Sequence, residues 1–171
     1  MENNHDLVKA EMNHLLQSSN QADSLRAIQA IGSKGEQALP ILRETIKNSQ
    51  DLSLKTIAVV VLGEIGEAAA VAVPDLIQEL SRSNEELKMA ASLSLVRIGK
   101  GSIPYLKEIL LTDKHEEALF WASWALAMID AHEISKETIS ILIQRRDHTN
   151  NPIEKLASEE ALAKVIGKSI E

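Results

Sequence analysis

The sequence predicts an all-α fold: a right-handed solenoid (an α/α superhelix) of antiparallel helix pairs, about ten helices in all. Three observations carry this reading. A stop signal recurs every thirty-odd residues, a helical apolar pattern precedes each stop, and a proline follows most of them. Ile31-Gly32, Ile65-Gly66, Ile98-Gly99 and Ile166-Gly167 share the signal, with Ile129-Asp130 in the remaining slot, at spacings of 34, 33, 31 and 37 residues. Self-similarity at such a period is the mark of stacked supersecondary units.

The elements follow in order. A capping helix is expected over 5–17, with Leu7, Val8, Met12, Leu15 and Leu16 on one stripe and Asp6, Lys9, Glu11 and Asn13 facing away. The first helix of each pair then ends at the stop signal. Four residues before it stand Ile28, Leu62, Leu95, Leu126 and Ala163, and eight before it stand Ser24, Ala58, Ala91, Ala122 and Glu159. Offsets of four and eight share one helix face, and the small residue predicts close approach of a neighbouring helix. The glycine ends the helix because it adopts a left-handed conformation at little steric cost.

The second helix of each pair opens on Pro40, Pro74 or Pro104, which fits a first turn where the missing N–H has no intrahelical partner. Leu42, Leu76 and Leu106 at two residues after the proline, and Ile46, Leu80 and Leu110 at six, are expected to face inward. The fourth pair has no proline, and Ile139 with Ile143 is assigned the same role. The pairs are therefore 21–31 with 36–48, 51–65 with 70–82, 84–98 with 101–112, and 114–129 with 134–146. A terminal helix over 152–168 buries Leu156, Leu162 and Ile166 and exposes Glu154, Glu159 and Lys164 in this reading. The whole is one domain: a cap over 1–19, repeats over 20–50, 51–83, 84–113 and 114–150, and a cap over 151–171.

Composition narrows the function. The 171 residues are 44% apolar but only 2% aromatic, so the core is built of Ala, Leu, Ile and Val. With no cysteine there is no disulfide, thiolate metal site or cysteine nucleophile. A formal charge of −7 opposes general nucleic-acid binding, and Arg145-Arg146 with His148 reads as a complement to a helix C-terminus. The polar opening Met1–Asp6 lacks a signal-like leader, and the longest apolar run, around Ala68–Val73, is too short to span a bilayer. The expectation is a cytoplasmic protein that binds neither membrane nor nucleic acid, as a monomer or weak homodimer.

Lys55-x-x-Ala58-x-x-x-Leu62-Gly63-x-Ile65-Gly66, followed by Ala70-Val71-Ala72-Val73-Pro74-x-Leu76-Ile77, resembles a HEAT repeat. The bacterial, phycobilisome-lyase-like form is the most similar. Lys88-x-x-Ala91-x-x-x-Leu95, with Ile98-Gly99 and Ile103-Pro104-x-Leu106, repeats the resemblance, which extends over 20–168. It implies that the second helices line a concave recognition face and the first helices a convex one. That architecture, with no catalytic constellation in the chain, leads to the expectation of a non-catalytic scaffold for a partner protein or peptide; the resemblance alone implies, as the alternative, a factor in bilin chromophore attachment or removal.

If the second helices face inward as assigned, positions one, four and eight after the proline look into the groove. They are Ile41, Glu44 and Asn48, then Asp75, Gln78 and Arg82, then Tyr105, Glu108 and Thr112, with Thr138, Ile141 and Arg145 in the fourth pair. The set is mixed in charge, and Tyr105 near its middle is either a binding anchor or a first-turn packing residue. Trp121 and Trp124 are either ordinary packing or a secondary patch.

No reaction chemistry emerges. His115-Glu116 and His132-Glu133 fall at different repeat positions, unlike the iron-binding pairs of the HEAT-repeat hydroxylase, so no metal or other cofactor is expected. Gly99-Lys100-Gly101-Ser102 lacks the earlier glycine and the strand of a phosphate loop.

Overall fold

The computed structural model describes residues 30–82 and 84–168, with Asp6, Leu7, Ala10, His14, Arg26 and Ile28. Eight α-helices are delimited among the described residues, against the ten or so expected. They are α1 (Leu39–Asn48), α2 (Leu52–Ile65), α3 (Val73–Leu80), α4 (Glu85–Ile98), α5 (Ile103–Thr112), α6 (Glu116–Ile129), α7 (Lys136–His148) and α8 (Pro152–Lys168). The expected helices over 5–17 and 21–31 fall for the most part outside the described residues.

Two layers stack. The first helices α2, α4, α6 and α8 pack each on the next, and each second helix α1, α3, α5 and α7 packs on the first helix that follows it. Local chemistry sets the boundaries. Asp51 caps α2 by accepting from the N–H groups of Ser53 and Leu54, Asn84 caps α4 through Leu87, and Ser135 caps α7 through Thr138. Pro40, Pro74 and Pro104 lie in the first turns of α1, α3 and α5.

Short 3₁₀ turns join the layers. Gly66 (φ 69°) and Gly99 (φ 82°) end α2 and α4 in a conformation that a Cβ would strain. The first and fourth stops differ from expectation. Gly32 is helical, with the positive φ at Gly35 instead, and Asp130 is extended at φ −153°. The Asp130 carboxylate accepts from the His132 N–H and starts the turn Ala131–Glu133, so the fourth pair is connected by a different path.

The first layer is tight where the small residues fall. Ala58, Ala91 and Ala122 are fully buried. A Cβ built on Gly63 would come within 2.8 Å of Ser94 Oγ, and that hydroxyl donates to the Val59 carbonyl at 2.8 Å. The stretch Leu52–Leu80 has the length and hydropathy of a membrane span, yet it is broken at Gly66 and buries Val59, Val61, Leu62, Ala72 and Leu76 completely.

Phase differs from the sequence reading in two helices. In α7, Thr138 and Leu142 are buried while Ile143 is exposed, a shift of one residue from Ile139 and Ile143. In α8, Leu162 is buried as expected, but Leu156 and Ile166 are exposed and Glu154 is buried. The inward face of α8 is Glu154, Ala157, Ser158, Ala161 and Leu162, small enough to lie close to α7. Glu154 accepts from the Thr149 hydroxyl and pairs with Arg145 at 3.5 Å, which satisfies its burial.

Polar ties cross between repeats. Arg97 reaches Glu64, Lys88 reaches Glu117, and Lys164 and Lys168 donate to the Met128 and Ala131 carbonyls.

Candidate interaction surface

The second helices leave three seams between them, and the repeat register assigns their walls. Positions three and seven after a proline face the following helix, while positions one and five face the preceding one. A step of one residue turns the helix by about 100°. Position one therefore lies on the flank of the helix, off its outward crest.

At the first seam, between α1 and α3, Arg43 Nε lies 2.5 Å from Asp75 Oδ2 and Lys47 Nζ lies 3.0 Å from Oδ1. The Asp75 side chain is only 4% exposed. Ile41, on the other flank of α1, is likewise buried, so two expected groove residues are inside the packing. Glu44 and Asn48 remain exposed.

The second seam, between α3 and α5, is a groove lined by Pro74, Ile77, Gln78, Tyr105, Glu108 and Thr112 among others. Tyr105 is 38% exposed, with one flank in the groove and the rest open. Gln78, Glu108, Thr112 and Arg82 are exposed as expected, Arg82 pairing with the buried Glu79 at 3.0 Å. The seam is tied at its C-terminal end by Ser81, whose hydroxyl donates to Asp113 at 2.5 Å. Burial alone would raise the Asp113 carboxyl. Hydrogen bonds from Ser81, His115 and the Lys114 N–H outweigh it and hold the pKa at about 2.

Glu79 shows the opposite balance. Burial pushes its carboxyl up against the lowering fields of Arg82 and Lys55, and one of its oxygens has no hydrogen-bond partner.

The third seam, between α5 and α7, is different again. These helices lack the close approach that α1 makes to α3 and α3 to α5. The gap is an open groove of about 430 Å³ lined by Lys107, Leu110, Leu111, Leu126, Glu133, Ser135, Glu137, Thr138 and Ile141. Leu111 is 87% exposed, the most of any large apolar residue described. It escaped the sequence reading because position seven was not assigned outward. The signal was a leucine where the earlier pairs carry Lys47 and Ser81.

In the fourth pair the shifted phase moves Thr138 inside and half-buries Ile141 and Arg145, leaving Glu137, Ser140 and Gln144 outward. Arg145 lies over the Phe120 ring at 5.4 Å. Trp121 and Trp124 are 4% and 6% exposed, so they are packing residues and not a secondary patch. Their rings meet edge-on at 5.8 Å, and both indole N–H groups are buried without a partner. Among the described residues no three His, Asp or Glu side chains gather as a metal site would require.

Comparison with known proteins agrees with this geometry. Residues 73–163 match the model for HEAT repeats, without distinguishing the phycobilisome-lyase-like form. The chain is also 35% identical over 166 residues to the uncharacterized protein SkfG of Bacillus subtilis (strain 168), covering 97% of this chain and 95% of that relative. The repeat register, the two stacked layers and these matches together place the chain in the HEAT-repeat family.

Proposed function

We propose that the chain is a non-catalytic scaffold that holds a partner protein or peptide on the face formed by its second helices, concave in such solenoids. The observation that carries this is the groove at the second seam, where Tyr105 stands open between Gln78, Glu108 and Thr112. A ring held on one side by packing and free on the other gives apolar area at low cost in side-chain entropy. The neighbouring carboxylate and amide supply direction. The narrower alternative from the Ala70–Ile77 resemblance, bilin attachment or removal, is tested by bilin transfer to an acceptor protein.

The test of the scaffold reading is affinity purification from the encoding organism, comparing the wild-type chain with the Tyr105→Ala, Glu108→Arg double variant. Loss of specific partners from the variant, with its helical circular dichroism and melting unchanged, is the expected result. Full retention of the same partners overturns the placement.

A further inference from the structure

We infer that the third seam seats an apolar side chain of the bound segment, and that this segment is an extended, basic-apolar peptide crossing α5 from the second groove to the third. The inference rests on the scaffold reading and adds to it a second anchor and a chemistry for the partner.

The first observation is the exposure of Leu111, at 87% the greatest among the large apolar side chains described. At the equivalent position Lys47 is engaged by Asp75, and Ser81 belongs to the seam tied to Asp113. Leu111 projects beside a groove whose floor is apolar, with Leu110, Leu126 and Ile141 lining it, and nothing among the described residues covers it. An isobutyl group left 87% in water beside such a floor gains most from one further apolar side chain laid against both.

Charge is the second observation. Tyr105 and Leu111 lie on opposite flanks of α5, and Glu108 lies between them in the helical sequence, exposed on the crest. Across the two grooves the lining charges are Glu108, Asp113, Glu133 and Glu137 against Lys107 alone; Lys107 and Glu133 offset each other and Asp113 is held by Ser81 and His115, which leaves Glu108 and Glu137 as the exposed carboxylates. The complement is a segment carrying lysine or arginine beside its apolar anchors.

The third element is spacing. Grooves on the two flanks of one helix lie about one interaxial distance apart, roughly 8–10 Å. Tyr105 and Leu111 are also six residues apart along α5, a rise of about 9 Å, so the two anchors are separated by roughly 13 Å. An extended chain advances about 3.3 Å per residue, so anchors about four residues apart reach both grooves. A helical segment would need about nine residues for the same span, at 1.5 Å each.

The probe is a phage-displayed library of random dodecapeptides, selected on the wild-type chain. Enriched peptides are then measured by fluorescence anisotropy against three proteins: wild type, Leu111→Ser, and Tyr105→Ala with Glu108→Arg. The expected result is a consensus of two apolar residues about four apart with lysine or arginine beside them, weakened at least ~tenfold by Leu111→Ser. An acidic or uncharged consensus overturns the partner chemistry. Peptides that lose affinity for the Tyr105, Glu108 variant but bind Leu111→Ser normally overturn the third-seam anchor while the scaffold reading stands. Peptides indifferent to every substitution, or no enrichment at all, overturn both. Because Leu111 is exposed, the Leu111→Ser protein keeps its fold, and its unchanged melting curve serves as the control.

Discussion

At the first seam the residues three and seven after the proline are Arg43 and Lys47, and both close on the buried carboxylate of Asp75. At the third seam the same positions hold Lys107 and Leu111. The lysine turns to Glu133 in a connecting turn, and the leucine is left in water. The two seams thus differ both in the side chains at these positions and in the carboxylate that meets them, Asp75 on the next helix at one and Glu133 in a turn at the other. The second seam is intermediate, tied at the C-terminal ends of its helices by Ser81 and Asp113 and open around Tyr105 near the start of α5. Repeats of one architecture need not present one kind of surface: the amino-terminal seam of the described region is closed by ion pairs, and the later two leave Tyr105 and Leu111 in water.

The sharpest way to break this comparison is to strip the first seam of its cations. Arg43→Met with Lys47→Met leaves Asp75 buried and unpaired, which is expected to cost about 3 kcal/mol in urea denaturation. The reciprocal Asp75→Asn costs less, because both cations can turn to solvent. Equal losses from the two would contradict the seam as described. A smaller loss, about 2 kcal/mol, is expected for Gly63→Ala, although alanine is the better helix former, because the new methyl meets Ser94. Thermal melts check the sign: a stabilised protein would mean that the first layer is looser than its geometry implies.

At the second seam, Asp113 is held at a pKa of about 2, below its ordinary 3.8. A lowered pKa favours the folded state above the ordinary value, and that contribution fades as pH falls from about 4 towards 2. Asp113→Asn is therefore expected to cost about 1 kcal/mol at pH 7 and to lose its effect near pH 2, measured by denaturation across that range. Glu79 carries the opposite sign. Its raised pKa means that ionisation opposes folding, so Glu79→Gln is expected to gain about 1 kcal/mol at pH 7.5, with the gain shrinking as pH falls through the carboxyl's titration. A gain independent of pH would assign the effect to packing. Smallest of all is Leu111→Ser, expected within about 0.5 kcal/mol of wild type because the side chain is already in water. A larger loss would show that the third seam supports the fold.

Much of this architecture was legible before any coordinates. The stop signals, with prolines for three of the second helices, located the helices from 36 onward to within a few residues, and the alanines eight residues before the stops correctly marked the close approach of the first layer. Legibility failed at the flanks. Ile41 and Asp75 were read as groove residues and are buried, while Leu111 was passed over and is the most open apolar side chain described. Trp121 and Trp124 allowed two readings, and only their burial chose between them.

The division has a physical cause. Helix starts, stops and the inward stripe follow from backbone capping and a 3.6-residue period, which are local to the chain and therefore written in it. Which flank is covered depends on where the next helix lies, and a displacement of one residue rotates the decision by about 100°. In the fourth pair the aspartate at the stop reroutes the connection, which accompanies the shift of α7 by one residue and sets Thr138 inside. In α8 the burial of Glu154 is possible only because Thr149 and Arg145 are there to meet it. The sequence by itself determined a stack of helix pairs and its period. Only the tertiary structure decided which seams closed and which stayed open, because that depends on partners some thirty residues away in the chain.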